Sequence, residues 1–297
     1  MNKLKGHLSC FTAYFIFGFN IIVCKDLANS GAISPLTLFT LRAAGASAIF
    51  WLLDLIHPGA KVDRRDLPKI FAASMLGLFA TQVSFLFGIV QCTPMDWALL
   101  TVLSPIITMF IAAIVLKEPI TAKKGLGVAI SFGGVVALIL GSAHSGGAAT
   151  TTWLGVLLAL LNVTAFSMYL GSFRPLIQKY PVVSFMKWMF LFSLLASFPF
   201  TAREVLTLDY ASLPGLYYWE LAFLIIFSTV VAYFLIPLGQ KHLRPTAVSL
   251  YSYLQPIIAA IVSVFLGMDS ITPAKVLGTI AIVGGVILVN KSRARVQ

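Results

Sequence analysis

Residues 103–136 and 254–287 are one two-helix unit written twice, aligned without a gap at a constant offset of 151 positions, as from Pro105 to Pro256. Leu103, Ile106, Ile107, Ile120, Thr121, Lys124, Leu126, Gly127, Gly133, Gly134 and Val135 recur as Leu254, Ile257, Ile258, Ile271, Thr272, Lys275, Leu277, Gly278, Gly284, Gly285 and Val286. Fainter matches extend the repeat to its start: Gly6, Leu8, Phe17 and Lys25 correspond to Gly155, Leu157, Phe166 and Arg174, and Pro35 and Arg42 to Pro181 and Lys187. Two copies of one packing solution must meet in a pseudo-symmetric whole. In a very apolar chain, that pattern implies two similar bundles around a shared central site.

The chain has 297 residues, of which 59% are hydrophobic and only 10% charged, too apolar for a soluble domain of this length to cover with polar surface. A helical crossing needs about 18 or more apolar residues. Ten such stretches lie at approximately 7–24, 34–56, 68–90, 95–116, 122–141, 153–172, 181–200, 217–238, 245–266 and 273–290. The first is as long as the others and lacks a small-residue cleavage site, so it reads as an uncleaved helix.

The net charge of +11 is a matter of topology. With the N-terminus in the cytoplasm, 16 of the 21 Lys and Arg residues fall in inside loops. Outside loops receive only Lys25, Arg203 and Lys275, while Arg42 and Lys187 fall within spans. This is the positive-inside pattern; it places both termini in the cytoplasm and makes nucleic acid an unneeded partner. Five spans per half require the second half to be inserted upside down, and Lys123-Lys124 of an inside loop become Ala274-Lys275 of an outside loop. Neither the three cysteines nor the four histidines are spaced for a disulfide framework or a metal site, so no cofactor is expected.

The expected fold is an all-α membrane protein of ten transmembrane helices in two inverted five-helix repeats. The first repeat spans 1–141, a connecting loop 142–152, the second repeat 153–290 and a basic tail 291–297. Gly127, Gly133, Gly134, Gly278, Gly284 and Gly285 are expected to let helix backbones approach closely. Pro105 and Pro256 each remove a backbone donor deep in a helix and permit a kink.

Gly18-x-Asn20, Lys25, Ser34-Pro35, Arg42, Leu103-x-Pro105, Lys117-Glu118-Pro119-Ile120-Thr121 and the second-half copies together resemble the EamA-like family of the drug/metabolite transporter superfamily. The resemblance covers essentially the whole chain. It departs at Asp269, where the family commonly has glutamate, and at Phe17, where tryptophan is frequent. It implies export or exchange of small metabolites, often amino acids, through a cavity lined by the first, third, fourth, sixth, eighth and ninth helices.

Buried ionisable groups in a bilayer are functional candidates by default. None of the ten carboxylates falls at mid-span, which argues against a proton antiporter for cationic drugs. Arg42 and Lys187 are the charged groups within spans; each attracts a carboxylate or phosphate if it faces water, or else bonds carbonyls or snorkels. The neutral candidates for a substrate-binding wall are Asn20, Gln82, Trp97, Thr101, Ser104, Asn162, Tyr233, Tyr253 and Gln255. The halves diverge most in polarity just before their shared proline, where Ser249-Leu-Tyr251-Ser252-Tyr253-Leu-Gln255 faces Ala98-Leu-Leu-Thr101-Val-Leu-Ser104.

The expected function is therefore a bacterial inner-membrane secondary transporter, not an enzyme, a monomer or weak homodimer in the lipid bilayer, moving a small molecule by alternating access. A nucleotide-sugar or sugar-phosphate exchanger requires Arg42 and Lys187 in one cavity. An intramembrane enzyme requires an acid/base pair or metal ligands at depth, which the sequence does not place there.

Overall fold

The computed structural model describes residues 2–59, 61–104, 106–107, 110–111, 122–144, 151–243, 245–268 and 270–291. Pro105, the segment 112–121 that carries the Glu118-Pro119 motif, Asp269 and the tail from 292 onward lie outside the described residues. The described part is helical and contains no strand. In the first half the helices are α1 (Asn2–Asn29), α2 (Pro35–Ile56), α3 (Arg64–Val90), α4 (Pro94–Thr101) and α5 (Ala122–His144). In the second they are α6 (Trp153–Ser172), α7 (Val182–Thr207), α8 (Gly215–His242), α9 (Ala247–Phe265) and α10 (Pro273–Lys291). Among the described residues α1, α2, α3, α6, α7, α8 and α9 are long and apolar enough to cross a membrane. Their outer faces are strongly apolar, as at Leu4, Leu157, Phe200 and Phe265.

Local sequence sets the helix starts. The side chains of Ser34, Thr93 and Thr152 accept the backbone N–H of Thr37, Asp96 and Gly155 at 3.3, 3.2 and 3.1 Å. Pro35 and Pro94 follow at the first helical positions, where no donor is missed. Glu204 near the end of α7 accepts the Ser34 N–H at 2.9 Å and its hydroxyl at 2.6 Å, fastening α7 to the start of α2.

The two halves interleave. α1 packs on α8 and α9, α6 packs on α3 and α4, α2 pairs with α7, α5 with α10, and α4 meets α9. Exchanging first-half helices for their second-half counterparts maps this set onto itself: α1–α8 becomes α6–α3, and α1–α9 becomes α6–α4. The correspondence extends to backbone detail. α3 and α8 each contain a π-helical segment, Met75–Ala80 and Leu224–Val231. Before Pro256 the chain forms a 3₁₀ turn at Leu250–Tyr253. At the matching place in the first half, the N–H groups of Val102 and Leu103 bond the carbonyls three residues back, Leu99 and Leu100, at 3.2 and 3.1 Å.

The α5–α10 crossing sets two glycines against the backbone of the partner helix. A Cβ on Gly134 would lie 2.8 Å from the Gly278 carbonyl oxygen, and one on Gly285 would lie 2.4 Å from the Gly127 carbonyl oxygen. Gly133 and Gly284, grouped with them from sequence, have nothing within 4 Å of an added Cβ. Adjacent helical residues point about 100° apart, so only one glycine of each pair can face the partner. Gly285→Leu should therefore destabilise the protein by about 3 kcal/mol or more in thermal unfolding, because backbone cannot yield as a side chain can, whereas Gly284→Leu should be nearly neutral. Equal losses from the two would show that the crossing is not made this way.

Lys25 and Lys275, assigned from sequence to outside loops, are helical and 5% and 3% exposed. Lys25 Nζ donates to the carbonyls of Ile89 and Val90 at 2.9 and 3.1 Å, satisfying orphan acceptors at the end of α3.

Candidate functional site

Where α1, α3, α4, α6, α8 and α9 converge, they leave a central cavity of about 70 Å³. That is room for about five or six waters, or a solute of similar heavy-atom count. Tyr14, Phe17, Asn20 and Ile21 of α1, and Thr81, Gln82 and Phe85 of α3, form one side. Trp97 and Thr101 of α4 with Ser104, then Asn162, Val163 and Phe166 of α6, form another. Tyr233 of α8 and Ser252 and Gln255 of α9 close it. No Asp, Glu, Lys or Arg is among these lining residues.

The wall straddles the internal symmetry. Gln82 and Tyr233 occupy equivalent positions, 151 residues apart, each just after its π-helical segment, and the Gln82 amide Nε2 donates to the Tyr233 hydroxyl. Ser104 and Gln255 are equivalent in the same way. A π segment shifts the helix register by one residue, turning polar side chains inward at a point where a regular helix would direct them elsewhere. Thr101 donates to Gln255 Oε1 at 3.4 Å, bridging α4 and α9. Asn162 Nδ2 donates to the Thr81 carbonyl at 2.6 Å, an acceptor beside the irregular stretch of α3.

Among the described residues, two buried polar atoms of the wall find no hydrogen-bond partner, Gln82 Oε1 and Ser252 Oγ, in residues 8% and 2% exposed. A buried unpaired group costs about 1–3 kcal/mol. One oxygen can only accept; the hydroxyl can do either.

The sequence candidates separate into two sets. Asn20, Gln82, Trp97, Thr101, Ser104, Asn162, Tyr233 and Gln255 line the cavity, whereas Arg42, Lys187 and Tyr253 do not. Arg42 is 2% exposed and stands one layer behind the wall, donating from Nε to Thr229 Oγ1 at 2.9 Å and from Nη1 to Cys24 Sγ at 3.7 Å. Cys24 in turn donates to Asn20 Oδ1 at 3.5 Å, and the same oxygen accepts the Ser228 hydroxyl. The guanidinium thus reaches the cavity through Asn20. Lys187 is ion-paired with Asp54 and lies 4.7 Å over the Trp51 ring, at the α2–α7 contact. Tyr253, within α9, is partly buried against the core.

Ser252, from the polar stretch before Pro256, also lines it; Tyr14, Phe17, Ile21, Thr81, Phe85, Val163 and Phe166 complete the lining and were not sequence candidates for it. An aromatic or branched residue in a membrane helix looks alike whether it faces lipid, core or cavity. The one available signal was Phe17 and Phe166, matched in the repeat and both in the wall.

The model of the EamA-like transporter family matches this chain twice, over residues 4–140 and 153–291. An uncharacterized transporter of Archaeoglobus fulgidus is 24% identical, the alignment covering 88% of this chain and 90% of the relative. YyaM of Bacillus subtilis, likewise an uncharacterized transporter, is 24% identical over 86% of this chain and 85% of its own. YicL of Salmonella typhimurium, an uncharacterized inner membrane transporter, is 23% identical over 98% and 97%. A solved crystal structure superposes with a TM-score of 0.63 at 19% identity over 95% of both chains, a likeness of fold alone. With two matched units interleaved around one uncharged chamber, the chain belongs to the EamA-like transporter family and is a multi-pass membrane transporter.

Proposed function

We propose that the protein is a secondary transporter that carries a small zwitterionic metabolite of amino-acid size across a bacterial inner membrane. The positive-inside distribution supports cytoplasmic termini, ten crossings and two inverted halves that rock about the chamber. The observation that carries the substrate reading is the pair of orphaned polar atoms, Gln82 Oε1 and Ser252 Oγ, in a chamber with no charged lining residue. An acceptor oxygen among the rings of Tyr14, Phe17, Phe85 and Trp97 suits an ammonium group, which gains a hydrogen bond and cation–π attraction together. The indole N–H of Trp97 and the nearby hydroxyls suit the carboxylate.

A sugar-phosphate or nucleotide-sugar exchanger needs cations in the wall. Arg42 acts only from behind Asn20, and Lys187 is spent on Asp54. An enzymatic reading finds no carboxylate or histidine in the lining to move a proton.

Purified protein in liposomes preloaded with unlabelled solute should exchange labelled alanine faster than glutamate, lysine or glucose 6-phosphate. Folded protein that exchanges none of these overturns the reading. Preference for glucose 6-phosphate would favour the anion exchanger.

A further inference from the structure

The two wall amides of the first half are held in opposite senses. Gln82 gives its Nε2 to the Tyr233 hydroxyl and keeps an unpaired oxygen. Asn20 does the reverse. Its Oδ1 accepts from the Cys24 thiol at 3.5 Å and from the Ser228 hydroxyl, which occupies both lone pairs of that oxygen. Nδ2 is left with two N–H donors that find no partner among the described residues, in a side chain that lines the cavity. Cys24 stands four residues on from Asn20, on the same face of α1. Ser228 and Thr229 are consecutive in the π-helical segment of α8, so one stretch of backbone holds both Asn20 and Arg42.

Behind this amide stands a cation without a carboxylate. Arg42 is 2% exposed, and among the described residues it enters no ion pair. Lys187 and Lys275 sit beside Asp54 and Asp96, and Lys25 against the carbonyl end of α3. Arg42 has only the Thr229 hydroxyl and the Cys24 sulfur, so three of the five guanidinium N–H donors find no partner among the described residues. Glu220 acts electrostatically on Cys24, yet it forms no ion pair with Arg42. The Arg42 charge is felt at Tyr233 of the wall as well as at Cys24. A buried charge lacking an opposite partner is costly, and the cost falls when an anionic group enters the neighbouring chamber. A solute carboxylate is such a group; an amine alone raises the cost.

We propose that Asn20 Nδ2 binds the carboxylate of the solute, and that Arg42, one layer behind, holds Asn20 in that sense through Cys24 and supplies the counter-charge. Resting on the transporter reading and deepening it, this assignment makes a carboxylate the group the chamber requires. Asn20 touches the solute, and Arg42 is a positioning residue.

Full-length protein in detergent is titrated with alanine, acetate, ethylamine and inorganic phosphate, and the concentration dependence of the unfolding midpoint gives each affinity. Alanine and acetate should raise the midpoint; ethylamine, which is alanine without its carboxylate, should not. Asn20→Asp keeps the shape but sets a negative charge in place of the donor. It should weaken alanine about ten- to 150-fold and admit ethylamine, a reversal that mere damage to packing does not produce. Arg42→Gln should also lose the preference for alanine over ethylamine, whereas Arg42→Lys, which keeps the charge, should retain it. Ethylamine binding native protein as tightly as alanine, phosphate binding in place of acetate, or no midpoint shift with any probe overturns the assignment, even if every variant fails to fold. Unchanged alanine affinity in folded Asn20→Asp overturns it as well. Carboxylate binding that depends on Asn20, without exchange in liposomes, would count against the transporter reading alone. Alanine exchange with no preference over ethylamine would count against the carboxylate site alone.

Discussion

Trp97→Ala should lower stability by about 3–5 kcal/mol, the range for emptying a fully buried indole site, and should widen the chamber at the same time. The ring is 1% exposed and sits edge-on to Phe85 with centroids 5.4 Å apart. Gly88 leaves room for it, since a Cβ there would lie 2.3 Å from the indole Cζ3. A hole of this size can collapse only if α3, α4 and α6 all shift, and each of them carries other parts of the wall. Thermal unfolding in detergent measures the loss, and liposome exchange should turn less selective among solutes of different size. A loss below about 1 kcal/mol would mean that the indole is not packed between these helices.

The second large effect is expected at Gln82. Gln82→Leu removes an unpaired acceptor from the wall and strands the Tyr233 hydroxyl at 3% exposure. A lost buried partner is worth about 1–3 kcal/mol, so the ratio kcat/KM for exchange should fall about five- to 150-fold. Tyr233→Phe removes the same contact from the other side and should cost less, because Gln82 can then turn its amide toward the solute. If the two residues work as one unit, the double variant should be no worse than Gln82→Leu alone. Additive losses would separate them, and unaltered exchange in Gln82→Leu would remove this residue from the substrate wall.

The repeat carried much of the architecture because packing positions must be kept in both copies if the same helices are to meet twice. Gly134 and Gly285 stand where the duplication predicted a close backbone approach, and Pro256 follows a 3₁₀ turn. Gly133 and Gly284 were matched equally well, yet they face open space, since a periodicity does not say which of two adjacent residues points at a neighbour. Of the neutral candidates found from sequence, all but Tyr253 reached the cavity. The charged ones did not, because a buried cation in a bilayer is stabilised by a close partner, and Arg42 and Lys187 find theirs in Thr229, Cys24 and Asp54.

The sequence by itself determined a membrane-embedded helical chain with two matched halves, both consequences of solvent and of duplication. Those properties follow from composition and period, which are read locally along the chain. Only the tertiary structure decided which side chains share a cavity, that Gln82 and Tyr233 meet across the pseudo-symmetry, and that Asp96 and Lys275, 179 positions apart, form one buried pair. Contacts of this kind depend on the rotation of each helix about its own axis. Lipid does not set that rotation by hydrophobicity, so close packing and hydrogen bonding between helices must set it instead.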